Sequence, residues 1–164
     1  MSAYFYNGLK LGILGGGQLG RMLIQEAINY NVFVAILDPD ANAPCKAIAN
    51  EFQQGSLTDF DTVYNFGKQC GLVTIEIEHV NVDALEKLES EGIPVFPQPK
   101  MLRMIQDKGL QKLFYQENNI PTADFFLVEN KAAIEQYAAH FPFMQKLRKG
   151  GYDGRGVTPL RDAD

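Results

Sequence analysis

The sequence lacks the features that mark several specialised classes of protein. Its 164 residues include no tryptophan, only two cysteines and two histidines, and no run that approaches the ~18 apolar residues of a membrane span. Cys45 and Cys70 lie far apart and match neither a zinc-binding spacing nor a disulfide framework. We interpret them as buried free thiols, and because the start of the chain has no leader-like segment, we expect a cytoplasmic protein without a membrane partner.

An excess of basic residues is also missing, since the net charge is −5. Nucleic acids favour basic partners, so we expect no nucleic-acid partner. The charge is uneven: residues 1–99 hold 5 Lys/Arg against 12 Asp/Glu, whereas residues 100–164 hold 10 against 8. Together with the Pro97-Gln-Pro99 segment, this shift predicts one domain over residues 1–99 and a second, more basic unit over residues 100–164.

The first forty residues read as a βαβ unit. The apolar run Leu11–Leu14 ends in three glycines, and Val32–Leu37 is a continuous apolar run typical of a parallel strand buried on both faces. Between these strands the spacing predicts a helix with one apolar face, formed by Leu19, Met22, Leu23, Ala27 and Ile28.

The alternation continues along the chain and predicts an α/β fold with a parallel sheet. In the first domain we expect helices at 60–69 and 82–91 and strands at 72–77 and 94–96. In the second unit we expect a helix over 101–118 that is interrupted near Gly109, then a strand at 125–128, a helix at 131–140, a strand at 142–147 and another strand after the last glycines.

The segment Gly15–Gly20 satisfies G-x-G-x-x-G between a strand and a helix. Glycines allow a tight turn and let backbone N–H groups approach an anion at the helix N-terminus. With Asp38 at the end of the second strand, the motif fits an NAD-dependent dehydrogenase or a nucleotide-sensing module. A tight βα turn without a cofactor is the other interpretation.

Acidic residues follow the strand at 72–77. We expect strand alternation to place Glu76 and Glu78 on the same side, beside His79, at the edge of the sheet where ligands bind. Two carboxylates there fit a ribose diol, an exocyclic amine or a cation. The alternative is an acidic strand end with a purely structural role, and His79 belongs to no metal-ligand set.

A second glycine loop, Lys146–Gly156, lies between two predicted strands and carries several basic residues. It therefore reads as a hairpin flap that closes over a polyphosphate through backbone N–H groups and cationic side chains, not as a loop that opens a helix. A plain surface hairpin is the alternative.

Three strings occur in order, GGGQLGRM, TIEIEHV and KLRKGGYDGRG. Together they resemble the 5-(carboxyamino)imidazole ribonucleotide synthase family of ATP-grasp ligases, also called the ATPase subunit of phosphoribosylaminoimidazole carboxylase. The resemblance implies a Rossmann-like pre-ATP-grasp domain followed by the small α+β lobe that begins an ATP-grasp domain. It also implies that the first glycine loop helps to bind aminoimidazole ribonucleotide, not NAD.

The implied reaction is ATP-dependent carboxylation of aminoimidazole ribonucleotide with bicarbonate, via carboxyphosphate, in purine biosynthesis. The resemblance assigns ATP to Lys146 and Gly151–Val157, and to Lys108 where the family usually has an arginine. It assigns the ribonucleotide to Gly17, Gln18, Leu19, Glu76 and Glu78. Within the ATP loop, which also contains Gly154 and Gly156, the residues expected to meet substrate and bicarbonate are Tyr152, Asp153 and Arg155.

Enzymes of this family are more than twice as long as this chain. We therefore expect an N-terminal fragment with negligible activity of its own, Mg²⁺ ligands outside it and a homodimeric full-length enzyme. The dehydrogenase or NAD sensor, a non-enzymatic scaffold and another ATP-grasp ligase are the alternatives.

Overall fold

The computed structural model describes residues 8–151 and 156–161. The chain divides into two compact units, Met1–Arg103 and Met104–Asp164. The division therefore falls between residues 103 and 104, a few residues later along the chain than the boundary predicted at 99/100.

Unit 1 is built on a five-stranded parallel sheet. Its strands are β1 (Lys10–Leu14), β2 (Phe33–Asp38), β3 (Glu51–Gln54), β4 (Leu72–Ile75) and β5 (Val95–Phe96). Their spatial order is β3-β2-β1-β4-β5, which confirms the predicted α/β class. The order reverses between β1 and β4, the point at which open parallel sheets bind their ligands.

Helices alternate with these strands and cover the sheet. They are α1 (Gln18–Asn29), α2 (Phe60–Gly67), α3 (Val82–Ser90) and α4 (Pro99–Ile105). Side chains of β2 alternate between two buried clusters: Val34 and Ile36 pack in the cluster of α1, whereas Ala35 and Leu37 pack in that of α2 and α3. Burial on both faces explains why this strand is apolar at every position.

The predicted apolar face of α1 is correct at Ala27 and wrong at its other four positions. The buried residues are Gly20, Ile24 and Ala27, whereas Leu19 and Ile28 are 64% and 62% exposed. The buried stripe includes Gly20 and Ala27, whose small size lets the helix lie close to the sheet. Apart from Ala27, the sequence prediction selected larger side chains.

Two strand assignments in unit 1 also differ from the prediction. Strand β3 was not predicted, because this edge strand has the sequence Glu-Phe-Gln-Gln and only Phe52 is turned toward a buried cluster. Strand β4 ends at Ile75, two residues earlier than predicted. Glu76 and Glu78 therefore lie in the turn after the strand, where strand alternation no longer decides their side.

Unit 2 contains helices and one hairpin. Helix α5 (Lys108–Glu117) is separated from α4 by two residues, close to the interruption predicted near Gly109. Helix α6 (Lys131–Ile134) continues into a 3-10 helix (Glu135–His140). Strands β6 (Phe143–Lys146) and β7 (Val157–Leu160) pair in antiparallel fashion. The predicted strand–glycine loop–strand order is thus confirmed.

The strand predicted at 125–128 is wrong. These residues form no regular secondary structure. The side chain of Phe126 packs in an aromatic cluster. Its ring stacks on Tyr137 with centroids 4.2 Å apart and meets Phe143 edge-on at 5.9 Å. Aromatic packing therefore accounts for this short apolar run.

We predict that Gly67→Ala destabilises unit 1. A Cβ added at Gly67 would overlap the Cδ1 methyl of Leu88, which is fully buried between α2 and α3. Overpacking of this kind costs about 1–3 kcal/mol, which exceeds the gain of at most about 1 kcal/mol from replacing a helical glycine. Urea denaturation should show a net loss of free energy of unfolding.

Gly71→Ala is the control, because its Cβ would lie 3.3 Å from the end of the Leu9 side chain and in ordinary contact with the Lys10 backbone at 3.7 Å. Equal stability of the two variants would contradict the packing argument.

Candidate functional site

The first glycine loop lies after β1, at the point where the strand order reverses. Gly15 has φ +105, a backbone conformation that glycine adopts far more readily than other residues. Its N–H donates to the Leu37 carbonyl at 2.9 Å. Gly17 is the N-cap of α1 and, having no side chain, makes no side-chain cap. The loop thus turns sharply between strand and helix, as G-x-G-x-x-G predicts.

Glu76 is the side chain that approaches this loop most closely from the neighbouring strand. Its N–H donates to the Leu14 carbonyl at 2.7 Å, which continues the pairing of β1 and β4 by one residue. A Cβ built on Gly15 would lie 2.7 Å from Glu76 Oε2, and one built on Gly17 would lie 2.6 Å from Oε1. The carboxylate therefore fills the space that the glycines leave open.

Three other residues predicted to bind the ribonucleotide are exposed to solvent. Gln18 and Leu19 form the first turn of α1 and are exposed, and so is Glu78. The structure therefore brings Gly17, Gln18, Leu19 and Glu76 together at the ends of β1 and β4. Glu78 follows in the turn, with His79 exposed beside it.

Asp38, which the dinucleotide alternative would place on a ribose, faces the loop instead. Its Oδ2 accepts a hydrogen bond from the Gly16 N–H at 2.6 Å, and its Oδ1 accepts one from the Asp40 N–H at 2.7 Å. Both oxygens thus have backbone donors, and Asp38 shapes the loop.

Cys45 lies beneath the same loop, an association that sequence reasoning missed because no motif marks it. Its N–H donates to the Gly16 carbonyl at 3.0 Å, and its Sγ donates to the Gly17 carbonyl at 3.4 Å. Burial, followed by the negative charges of Glu76 and Asp38, raises the pKa of this thiol to about 11. Cys45 is thus a structural support of the loop.

In unit 2, the start of α5 is joined to the basic segment that follows β6. The Lys108 N–H donates to the Arg148 carbonyl at 2.9 Å, and the Lys108 ammonium donates to the Gly151 carbonyl at 2.6 Å. Two residues assigned to ATP, Lys108 and Gly151, are therefore in direct contact.

Asp107 fixes this arrangement, although sequence reasoning did not single it out. Its carboxylate caps α5 through the N–H groups of Gly109 and Leu110 and accepts a hydrogen bond from Arg148 Nε at 2.6 Å. Burial alone would raise the pKa of this carboxyl, but the bonds from Arg148 and the two amides hold the pKa below its ordinary value. An aspartate just before a helix start is a capping signal that could have found it.

The remaining residues assigned to ATP lie on the hairpin. Lys146 ends β6 opposite Val157 of β7, and the Leu147 N–H donates to the Gly156 carbonyl at 2.8 Å. Four residues assigned to the loop lie outside the described residues: Tyr152, Asp153, Gly154 and Arg155.

The described part of the chain offers no cluster of three His, Cys, Asp or Glu side chains able to hold a metal ion. Among the helices of residues 8–151 and 156–161, none is long and apolar enough to cross a membrane.

The strand order and the glycine loop at its reversal point define a Rossmann-like α/β domain. A family model described as the ribonucleotide synthetase preATP-grasp domain matches residues 9–106. This match covers more than half of the chain, which therefore belongs to that family.

The chain is also similar to longer proteins of known name. It is 41% identical to phosphoribosylaminoimidazole carboxylase of Vigna aconitifolia, over 89% of this chain and 26% of the relative. It is 34% identical to N5-carboxyaminoimidazole ribonucleotide synthase of Synechocystis, over 90% of this chain and 37% of the relative. The resemblance inferred from the three strings is confirmed, and the chain spans only about a quarter to two-fifths of these relatives.

A solved structure of N5-carboxyaminoimidazole synthase from Aspergillus clavatus, in complex with ADP and 5-aminoimidazole ribonucleotide, matches with a TM-score of 0.83. The identity is 36%, and the match covers 96% of this chain and 42% of that one.

We predict that Asp107→Asn weakens unit 2 and changes its response to acid. The variant keeps a capping side chain but loses the charge that binds Arg148; because Arg148 is 55% exposed, we expect a loss of only about 1 kcal/mol. The lowered pKa of Asp107 stabilises the fold above its ordinary pKa, and this contribution is lost as the pH falls below about 4.

Urea unfolding, followed through the Gly109 and Leu110 amide signals at pH 6 and pH 3.5, measures both effects. Asp124→Asn removes an exposed carboxylate from the same unit and should change little. The prediction fails if Asp107→Asn loses as much stability on acidification as the unsubstituted chain.

We also predict that both thiols are inert in the native chain. Burial raises the pKa of Cys45 and of Cys70 to about 11, so that at pH 7.5 fewer than about one molecule in a thousand carries a given thiolate, the reactive form. Ellman's reagent should react slowly with native protein and fast in urea. Cys45→Ser and Cys70→Ser identify which thiol reacts, and a native thiol that reacts at the rate of free cysteine would refute the prediction.

Proposed function

We propose that this chain serves, as part of an enzyme of the length of its relatives, in the ATP-dependent carboxylation of 5-aminoimidazole ribonucleotide. One observation carries the proposal. The Aspergillus clavatus structure, which holds ADP and this ribonucleotide, aligns with 96% of the chain at 36% identity. Residues of both units therefore lie within the aligned range.

The proposed chemistry has two steps. Bicarbonate attacks the γ-phosphate of ATP and gives carboxyphosphate and ADP. The exocyclic amine of the ribonucleotide then attacks the carboxyl carbon, releasing phosphate and forming N5-carboxyaminoimidazole ribonucleotide. Neither step changes an oxidation state, so no redox cofactor is needed. The enzyme must bind three anionic substrates, ATP, bicarbonate and the ribonucleotide, and hold the amine close to the activated carboxyl group.

For the ribonucleotide we propose the residues at the ends of β1 and β4. Gly17 and Gln18 offer backbone and amide groups at the start of α1, and Leu19 offers an exposed apolar surface. Glu76 and Glu78 are acceptors for hydroxyl or amine donors, which a ribose and an aminoimidazole provide.

For ATP we propose the cationic and glycine-rich residues of unit 2. Lys108 and Lys146 carry ammonium groups that balance polyphosphate charge, and Lys108 already contacts the loop at Gly151. We extend the ATP site over Gly151–Val157 and propose that Tyr152, Asp153 and Arg155 meet substrate and bicarbonate. Mg²⁺ would accompany ATP, held by ligands other than the described residues of this chain.

We further propose a cytoplasmic, homodimeric enzyme whose partners are small molecules, without nucleic acid or membrane. The two free buried thiols fit a reducing compartment, and the net charge of −5 opposes binding to nucleic acid.

Thermal melting of the chain with separate ligands tests the ribonucleotide site. A ligand at ten times its Kd adds about 1.4 kcal/mol to the free energy of unfolding, so aminoimidazole ribonucleotide should raise the Tm by several degrees. NAD should have no effect, and ribose 5-phosphate should have a smaller one because it lacks the amine and the ring.

Gln18→Ala should reduce the shift, whereas Gln25→Ala, which removes an exposed amide from a later turn of α1, should not. A shift with NAD and none with the ribonucleotide would overturn the proposal.

A further inference from the structure

The inner wall of the first glycine loop is already occupied by the protein's own groups. The Gly15 N–H donates to the Leu37 carbonyl, and the Gly16 N–H donates to Asp38. A loop that cradles a pyrophosphate needs these N–H groups free to face the anion. At least two of its donors are therefore committed before any ligand arrives.

The space in front of the loop is filled as well. The Glu76 carboxylate lies so close that a Cβ on Gly15 or Gly17 would fall within 3.0 Å of it. A Cβ on Gly20 would lie 3.5 Å from Glu76 Cγ. The glycines at these positions thus admit a side chain of the protein itself, in the place where a dinucleotide fold admits a pyrophosphate.

Charge acts in the same direction as shape. In the described chain α1 has no acidic residue in its first turn and no side-chain cap, so its positive N-terminus lacks a local partner. Glu76 and Asp38 supply negative charge from neighbouring strands, and both raise the pKa of Cys45 beneath the loop. A phosphate placed there would meet two carboxylates.

We propose that Glu76 is a specificity-determining residue whose carboxylate takes the anion position of the first glycine loop and closes Gly15–Gly17 to the pyrophosphate of a dinucleotide. The chain then has the G-x-G-x-x-G motif, but its loop excludes the pyrophosphate that this motif usually binds. The inference does not depend on which ribonucleotide the enzyme uses.

Titration of the chain with inorganic pyrophosphate, followed by amide NMR at low salt, tests the proposal. In the unsubstituted chain the amide signals of Gly16 and Gly17 should stay unchanged up to millimolar pyrophosphate, whatever happens at the basic residues of unit 2. In Glu76→Ala the same signals should shift, with an apparent Kd at least about fivefold below the highest pyrophosphate concentration that leaves the unsubstituted chain unchanged.

Two further variants complete the experiment. Glu76→Gln removes the charge of the side chain and keeps its volume. If both shape and charge exclude the anion, this variant should gain less affinity for pyrophosphate than Glu76→Ala. Glu89→Ala changes the net charge equally from an exposed position on α3 and should leave the loop signals unmoved.

The proposal is wrong if pyrophosphate shifts the loop amides of the unsubstituted chain, a result that needs no variant to fold. It is equally wrong if folded Glu76→Ala, judged by its melting curve, gains no binding at the loop. Neither outcome bears on the melting experiment with aminoimidazole ribonucleotide, which tests the proposed function separately.

Discussion

The close approach of the Glu76 carboxylate to two glycines, Gly15 and Gly17, is the constraint on which the site of unit 1 depends. The backbone bond from Glu76 to Leu14 sets the position of Glu76 at the end of the β1–β4 pair, and its side chain then needs the room that Gly15, Gly17 and Gly20 leave. Asp38 and Cys45 hold the loop from its other sides. A change at any of these positions would act on the others, because they share one small volume.

Unit 2 depends on a different kind of interaction, in which a nearly buried aspartate organises a basic segment. Asp107 caps α5 and binds Arg148, and Lys108 next to it bonds to the backbone of the hairpin at both Arg148 and Gly151. One side chain thereby sets the start of a helix and the base of a loop. In the proposed enzyme this fixes an ammonium group beside the residues assigned to ATP.

Much of the fold followed from the sequence where one physical effect dominated. The apolar run of β2 predicted a strand buried on both faces, and Gly109 indicated the break in the helix close to where α5 begins. Prediction failed where tertiary packing decided the outcome: small residues chose the buried stripe of α1, and Phe126 joined an aromatic cluster instead of a ladder. For the site, the glycine motif predicted a tight turn at the start of α1, but only the structure reveals that the Glu76 carboxylate occupies the space beside Gly15 and Gly17.

The polar composition that hid β3 from sequence reasoning has a consequence for the behaviour of the chain in solution. An open sheet ends in strands with unpaired backbone groups, which can recruit a strand from another molecule. Here one edge is the four-residue β3, with exposed Glu51, Gln53 and Gln54, and the other is the two-residue β5. Short edge strands, one of them charged and polar, discourage such pairing. The polar residues that made β3 hard to predict therefore also protect this edge of the sheet against aggregation.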